Sequence, residues 1–101
     1  MRIITEKRLR EAASKYPIIE SAINRWILTV RKSNWSNLTD TKAIYSHADQ
    51  FKTRKGRLLT IFNTSHGFRI ITAIHYNTKL VFIRSVLTHA EYDKGRWKEH
   101  D

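Results

Sequence analysis

The spacing of the apolar residues changes once along this chain, and that change constrains the fold more than any other feature. Up to Val30 they recur with a helical period. Leu9, Ala12, Ala13 and Tyr16 hold the i, i+3, i+4, i+7 spacing of one buried stripe, and Ile19, Ala22, Ile23, Trp26, Ile27 and Val30 form a broader face. Thr5 is placed to cap the first helix, and Pro17 to open the second, where its missing N–H costs nothing. After Arg57 the segments are β-branched and aromatic: Leu58 to Asn63, Phe68 to Tyr76 and Leu80 to Leu87, split by Thr64-Ser65-His66-Gly67 and by Asn77-Thr78. They predict a three-stranded antiparallel meander. Ser33 to Thr41 reads as polar loop apart from Trp35 and Leu38, with Thr39 or Asp40 capping a short helix through Ala43, Ile44 and Tyr45. Lys52 to Arg57 (KTRKGR) reads as a basic loop, and the opening MRII as an edge strand. The order predicts an α+β fold: an N-terminal edge strand and an α-helical hairpin packed on a twisted antiparallel sheet. A length of 101 residues suits one domain over positions 1–101, with a polar tail over 95–101, Trp97 excepted, that is expected to fray.

Strand register says where the arginines point. If Asn77-Thr78 is a two-residue turn, Tyr76 pairs with Lys79, Ile71 falls opposite Arg84, and Arg69 opposite Val86. Cross-strand partners share a face. Phe68, Ile70 and Ile74 then join Val81, Ile83 and Leu87 against the helices. Arg69, Ile71, Ala73 and His75 join Phe82, Arg84 and Val86 on the face the helices leave open. Two arginines one pairing step apart suit a phosphate, although two solvated sheet residues would look the same.

Charge sharpens this reading. Nineteen Lys and Arg against nine Asp and Glu give a formal +10. From Gln50 to Ala90 there is no acidic residue, while Lys52, Arg54, Lys55, Arg57, Arg69, Lys79 and Arg84 all lie inside that span. So basic a segment repels itself unless phosphates supply the counter-charge, which points to nucleic acid. The absence of cysteine excludes disulfides and thiolate metal sites. No apolar run approaches the roughly 18 residues of a membrane span, and MRIITEKR lacks the apolar region of a signal peptide. A cytoplasmic protein without a cofactor or a membrane partner is the expectation.

The last strand runs into Thr88-His89-Ala90-Glu91-Tyr92-Asp93-Lys94 rather than into a turn of Gly, Asn or Pro. In extended chain His89 and Glu91 would point the same way. Cleaving an RNA phosphodiester without metal needs a base for the 2′-OH, cations for the phosphorane charge and an acid for the leaving 5′-oxygen. His89, Glu91, Tyr92, Asp93 and Lys94, facing Arg69 and Arg84, supply every part. Each also has a plainer role, as a surface histidine, a neutralising carboxylate or a core tyrosine. The chemistry alone gives a basic nucleic-acid-binding domain with the parts of a nuclease.

MRII, the Trp26 and Trp35 pair, DTKAIYSHAD at 40–49 and FNTSHGFRIITAIHYNTKLVFIRSVLTHAEYDK resemble the HigB family of bacterial toxins, over nearly the whole chain. The THAEYDK ending is the most specific part. That resemblance implies a RelE/ParE-like fold, an endoribonuclease that cleaves mRNA on the translating ribosome, and a HigA-like helix-turn-helix antitoxin that also represses the operon on its operator DNA. It implies that Arg69 stands against the scissile phosphate and that His89, Glu91, Tyr92 and Asp93 form the terminal catalytic motif. Lys52, Arg54, Lys55 and Arg57, with Arg84 and Lys94, would grip RNA. The RelE branch uses arginine, lysine and a late tyrosine rather than a histidine, so base and acid stay unassigned here. A ParE-like gyrase poison and a non-catalytic nucleic-acid-binding protein remain the other two readings of the same residues.

Overall fold

A computed structural model describes residues 1–99. Five strands form one mixed sheet in the order β1-β5-β4-β3-β2, where β1 is Arg2–Ile4, β2 Asp49–Lys52, β3 Leu58–Asn63, β4 Arg69–His75 and β5 Leu80–Leu87. Helices α1 (Lys7–Lys15) and α2 (Glu20–Lys32) pack on one face, α3 (Leu38–Ile44) precedes β2, and α4 (His89–Lys94) follows β5. The α+β architecture is the expected one. The strand β2 is an addition: only its last residue, Lys52, falls in the expected basic loop and no element is expected over Asp49 to Phe51, because a short polar DQFK becomes a strand only through its pairing with β3.

The helix ends depart from the expected caps for local reasons. β1 lies parallel to β5, so the chain must double back before α1 can cross the sheet. Thr5 therefore takes a left-handed backbone (φ 67°), and Glu6 stands at the N-cap without a side-chain capping bond, its carboxylate instead accepting from Arg31 at 2.7 Å. Pro17 opens a single 3-10 turn, Pro17–Ile19, before α2 begins at Glu20. Asn37, rather than Thr39 or Asp40, caps α3: its Oδ1 accepts the Asp40 N–H at 2.8 Å, while the Asp40 carboxylate accepts the Ser36 N–H at 2.9 Å.

The helix-side core holds Leu9, Ile19, Ile23 and Val30, all at 0% exposure, against Phe62, Ile70 and Val81. Each such side chain contributes about 1.5–3 kcal/mol when removed from water. Phe62 sits at the centre of an aromatic group, edge-on to Trp26 at 5.3 Å and to Tyr45 at 5.3 Å, and stacked with Trp35 at 6.1 Å. The hydroxyls of Thr41 and Tyr76 bond at 2.9 Å, and burial pushes the Tyr76 phenol above its ordinary pKa.

The β4–β5 register agrees with the expectation near the turn and fails beyond it. Ile74 pairs with Val81 and Ala73 with Phe82, although the connection is a 3-10 turn over Tyr76–Thr78 with Lys79 left-handed rather than a two-residue turn. A β-bulge then inserts Arg84 between the partners of Thr72 and Ile71, so Ile71 pairs with Ser85 and Arg69 with Leu87. An extra residue reverses every side chain after it. Val86 turns to the helix-side core and Leu87 to the other face, the opposite of their expected places.

That other face is covered too. Leu59, Ile61, Ile71 and Ala73 make a second core closed by Trp97, which is 7% exposed, with Phe51, Phe82, Leu87 and Tyr92 around it. The chain after Lys94 does not fray there: Gly95 ends α4 at φ 72°, and Arg96–Glu99 form a 3-10 turn that lays Trp97 on the sheet. The expected fraying of positions 100–101 lies outside the described residues. Among the described residues no helix is long and apolar enough to cross a membrane.

Candidate active site

THAEYDK is a helix, not extended chain, and the reason is written in its first four residues. The Thr88 hydroxyl accepts the Glu91 N–H at 3.2 Å, and the Glu91 carboxylate accepts the Thr88 N–H at 2.9 Å. This reciprocal capping box satisfies two N–H groups that a helix start otherwise leaves without partners. Glu91 is thereby committed to the helix. His89 and Glu91 do not point the same way; instead His89 and Asp93, four residues apart, share a flank, with Nε2 3.0 Å from the Asp93 carboxylate. Both side chains are more than half exposed, so this pair adds little stability.

Arg69 meets this helix through a turn. Its Nη1 donates to the Gly67 carbonyl at 2.9 Å and to the Phe68 carbonyl at 3.3 Å. Its guanidinium lies 5.1 Å from the centre of the Tyr92 ring, within reach of a cation–π attraction. Gly67, at φ 76°, packs against His89: a Cβ there would stand 3.1 Å from the His89 Cβ and 3.7 Å from Nδ1. One glycine thus fixes the arginine through its carbonyl and admits the imidazole through its missing side chain. The sequence marked TSHG only as a turn, and a glycine two residues before the sheet arginine was the available signal.

Gly67→Ala is expected to lower stability by about 1–2 kcal/mol from its left-handed backbone, and to displace the His89 ring. Thermal melting and the His89 imidazole resonances check both. Gly67→Asn tolerates the backbone but keeps a Cβ, so it should move His89 at a smaller cost in stability. An unmoved His89 in both variants would show that the contact is incidental.

Arg69, Tyr92, His89 and Asp93 are therefore brought together, and the others are not. Arg84, in the bulge, and Lys94 line a groove that Glu91 also borders. Lys52 closes β2 opposite Leu58, and Arg54, Lys55 and Arg57 ride the turn between β2 and β3, held by the Thr53 N–H to the Arg57 carbonyl at 2.8 Å. Arg69 pairs with Asn63 at the far end of β3, about 17 Å away along the strand. Among the described residues no group of three or more His, Cys, Asp or Glu side chains could hold a metal ion.

Fold and cluster together define a small basic α+β protein whose sheet end gathers a cation, an imidazole–carboxylate pair and a phenol, side chains suited to gripping a phosphodiester and moving a proton. Comparison with known proteins narrows this. Residues 19–95 match the family model for HigB_toxin, the RelE-like toxic component of a toxin–antitoxin system, and the chain belongs to that family. It is 30% identical over 94 residues to the mRNA interferase toxin HigB of Escherichia coli K12, covering 92% of this chain and 88% of the relative. A HigB mRNA interferase of Escherichia coli O6:H1 (strain CFT073) is 28% identical over 95 residues, covering 93% and 90%.

Proposed function

We propose that this chain is the toxin of a type II toxin–antitoxin system, an endoribonuclease that cuts translated mRNA without metal and so inhibits translation and growth. The observation that carries it is that Gly67 receives both Arg69, which reaches Tyr92, and His89, which pairs with Asp93, in a chain whose relatives are named mRNA interferases. In the reaction the 2′-oxygen attacks the adjacent phosphate, the bond to the 5′-oxygen breaks, and a 2′,3′-cyclic phosphate and a 5′-hydroxyl remain. Asp93 accepts the Nε2–H of His89, which leaves Nδ1, on the Gly67 side, as the atom that takes the 2′-OH proton. Arg69 stabilises the charge gathered on the phosphorane. Tyr92, next to that guanidinium, is the donor for the leaving oxygen.

The basic hairpin at Lys52, Arg54, Lys55 and Arg57 lies too far from Arg69 to act on the same phosphate. It serves as a grip on ribosomal RNA or on distant mRNA. Its partner in the cell is a HigA-like helix-turn-helix antitoxin, which would carry the complex to operator DNA.

The test is primer extension on an mRNA in a cell-free translation system, with and without ribosomes and with and without EDTA. New discrete 5′ ends that need ribosomes, persist in EDTA and leave cyclic phosphates on the upstream fragments support the reading. No cleavage under any condition sinks it and favours a gyrase poison, which a supercoiling assay detects, or a passive RNA binder.

A further inference from the structure

α4 has two flanks, and only one carries the cluster described above. On the other lies a groove of about 720 Å³, a size suited to one or two nucleotides. It exists because β1 stops at Ile4, opposite Phe82, so among the described residues no strand lies beside β5 on that edge from Ile83 onward. Four cations from three separate segments converge there: Arg8 from α1, Arg84 from the β5 bulge, and Lys94 and Arg96 from the C-terminal segment. Arg8 donates to the Arg84 carbonyl, which ties the wall to the exposed strand edge. Among the described residues the one acid of the lining is Glu91, already bonded to the Thr88 N–H. Phe82, Leu87 and Trp97 supply an apolar floor.

We infer that this groove binds single-stranded RNA: the nucleotides flanking the cleaved bond, with phosphates on the arginines and a base over the apolar floor. The inference rests on the endoribonuclease reading and adds a site to it. Among the described residues, four cations against one committed carboxylate select a polyanion. The apolar floor and the open strand edge suit an unstacked base rather than a duplex, whose bases are turned inward. The position suits a strand already held at Arg69. α4 lies between the two places, with His89 and Asp93 on one flank and Glu91 and Lys94 on the other, and a helix is about 10–12 Å across. The strand would cross the helix and seat its next nucleotides in the groove.

The experiment is fluorescence anisotropy of a short 2′-O-methyl oligoribonucleotide, which cannot be cut, over a salt series. Arg8→Gln/Arg96→Gln is compared with Lys32→Gln/Lys42→Gln, an equal loss of charge on the outer faces of α2 and α3. The groove variant is expected to bind about tenfold or more weakly. Its slope of log affinity against log salt should fall by about 0.7 for each cation removed. The control should keep nearly wild-type affinity, and Arg8→Lys/Arg96→Lys should recover most of the loss. Equal losses in the two Gln variants would mean general basicity and overturn the groove. So would unchanged RNA affinity with lost binding to the antitoxin, which would make it a protein-docking surface. Because binding is read without cleavage, a wild type that binds through the groove and never cuts would sink the nuclease reading alone.

Discussion

Replacing His89 with alanine is expected to slow mRNA cleavage by about a hundred- to ten-thousand-fold, the range for losing one positioned proton-transfer group. The imidazole is held at Nε2 by Asp93 and lies against Gly67 on its other side, so its orientation is set before RNA arrives. Its removal leaves α4 intact, because the capping box uses Thr88 and Glu91 and no part of His89. Circular dichroism and melting should therefore stay near wild type while primer extension loses its new ends and growth inhibition disappears. Arg69→Ala should cost about a hundred- to a thousand-fold by a different route, the loss of charge stabilisation. Asp93→Asn should cost much less, since an amide oxygen still accepts the Nε2–H. If His89→Ala and Arg69→Ala both left cleavage and toxicity unchanged, the cluster would have no part in the chemistry.

The parts of this site that were legible in the sequence are those set by local periodicity. The helical stripes placed α1 and α2, and alternating β-branched segments placed β3, β4 and β5 close to their observed bounds. The resemblance carried by THAEYDK directed attention to the segment that packs beside Arg69 and Gly67, yet its arrangement was misread. Thr88 followed three residues later by Glu91 is itself a helix-start signature, and taking it as such would have paired His89 with Asp93 instead of Glu91. The bulge at Arg84 has no such mark. It follows from fitting β5 between β1 and β4 while α4 closes the sheet end, and these are contacts between residues distant in sequence. Arg84, at the bulge, lines the groove with Phe82 and Leu87, while Arg69 turns to the Gly67 carbonyl and the Tyr92 ring. Arg8 and Arg96 were unreadable for the same reason, since nothing near them in sequence brings α1 and the C-terminal segment together.

Trp97→Ala is expected to destabilise the protein by about 3–5 kcal/mol, the usual cost of emptying a buried aromatic site. A chain of this size has only about 5–15 kcal/mol in total, so a fifth or more of its stability hangs on one residue of a segment that reads as polar tail. The indole closes the second core, edge-on to Phe51 at 5.2 Å and stacked on Tyr92 at 5.2 Å, and its Nε1–H donates to the Tyr92 carbonyl at 3.0 Å. The consequence reaches the active site because α4 has only six residues and cannot persist without tertiary support. Without Trp97, Tyr92 loses its stacking partner, the Arg69–Tyr92 contact loosens, and His89 leaves Gly67. Urea denaturation should show the loss of stability, and cleavage should fall even at temperatures where the variant remains folded. Trp97→Phe should recover the packing but not the hydrogen bond, restoring most stability and part of the activity. A loss under about 1 kcal/mol, outside the range for a buried aromatic, would mean that the second core closes without the indole, and that α4 is held by its capping box and β5 alone.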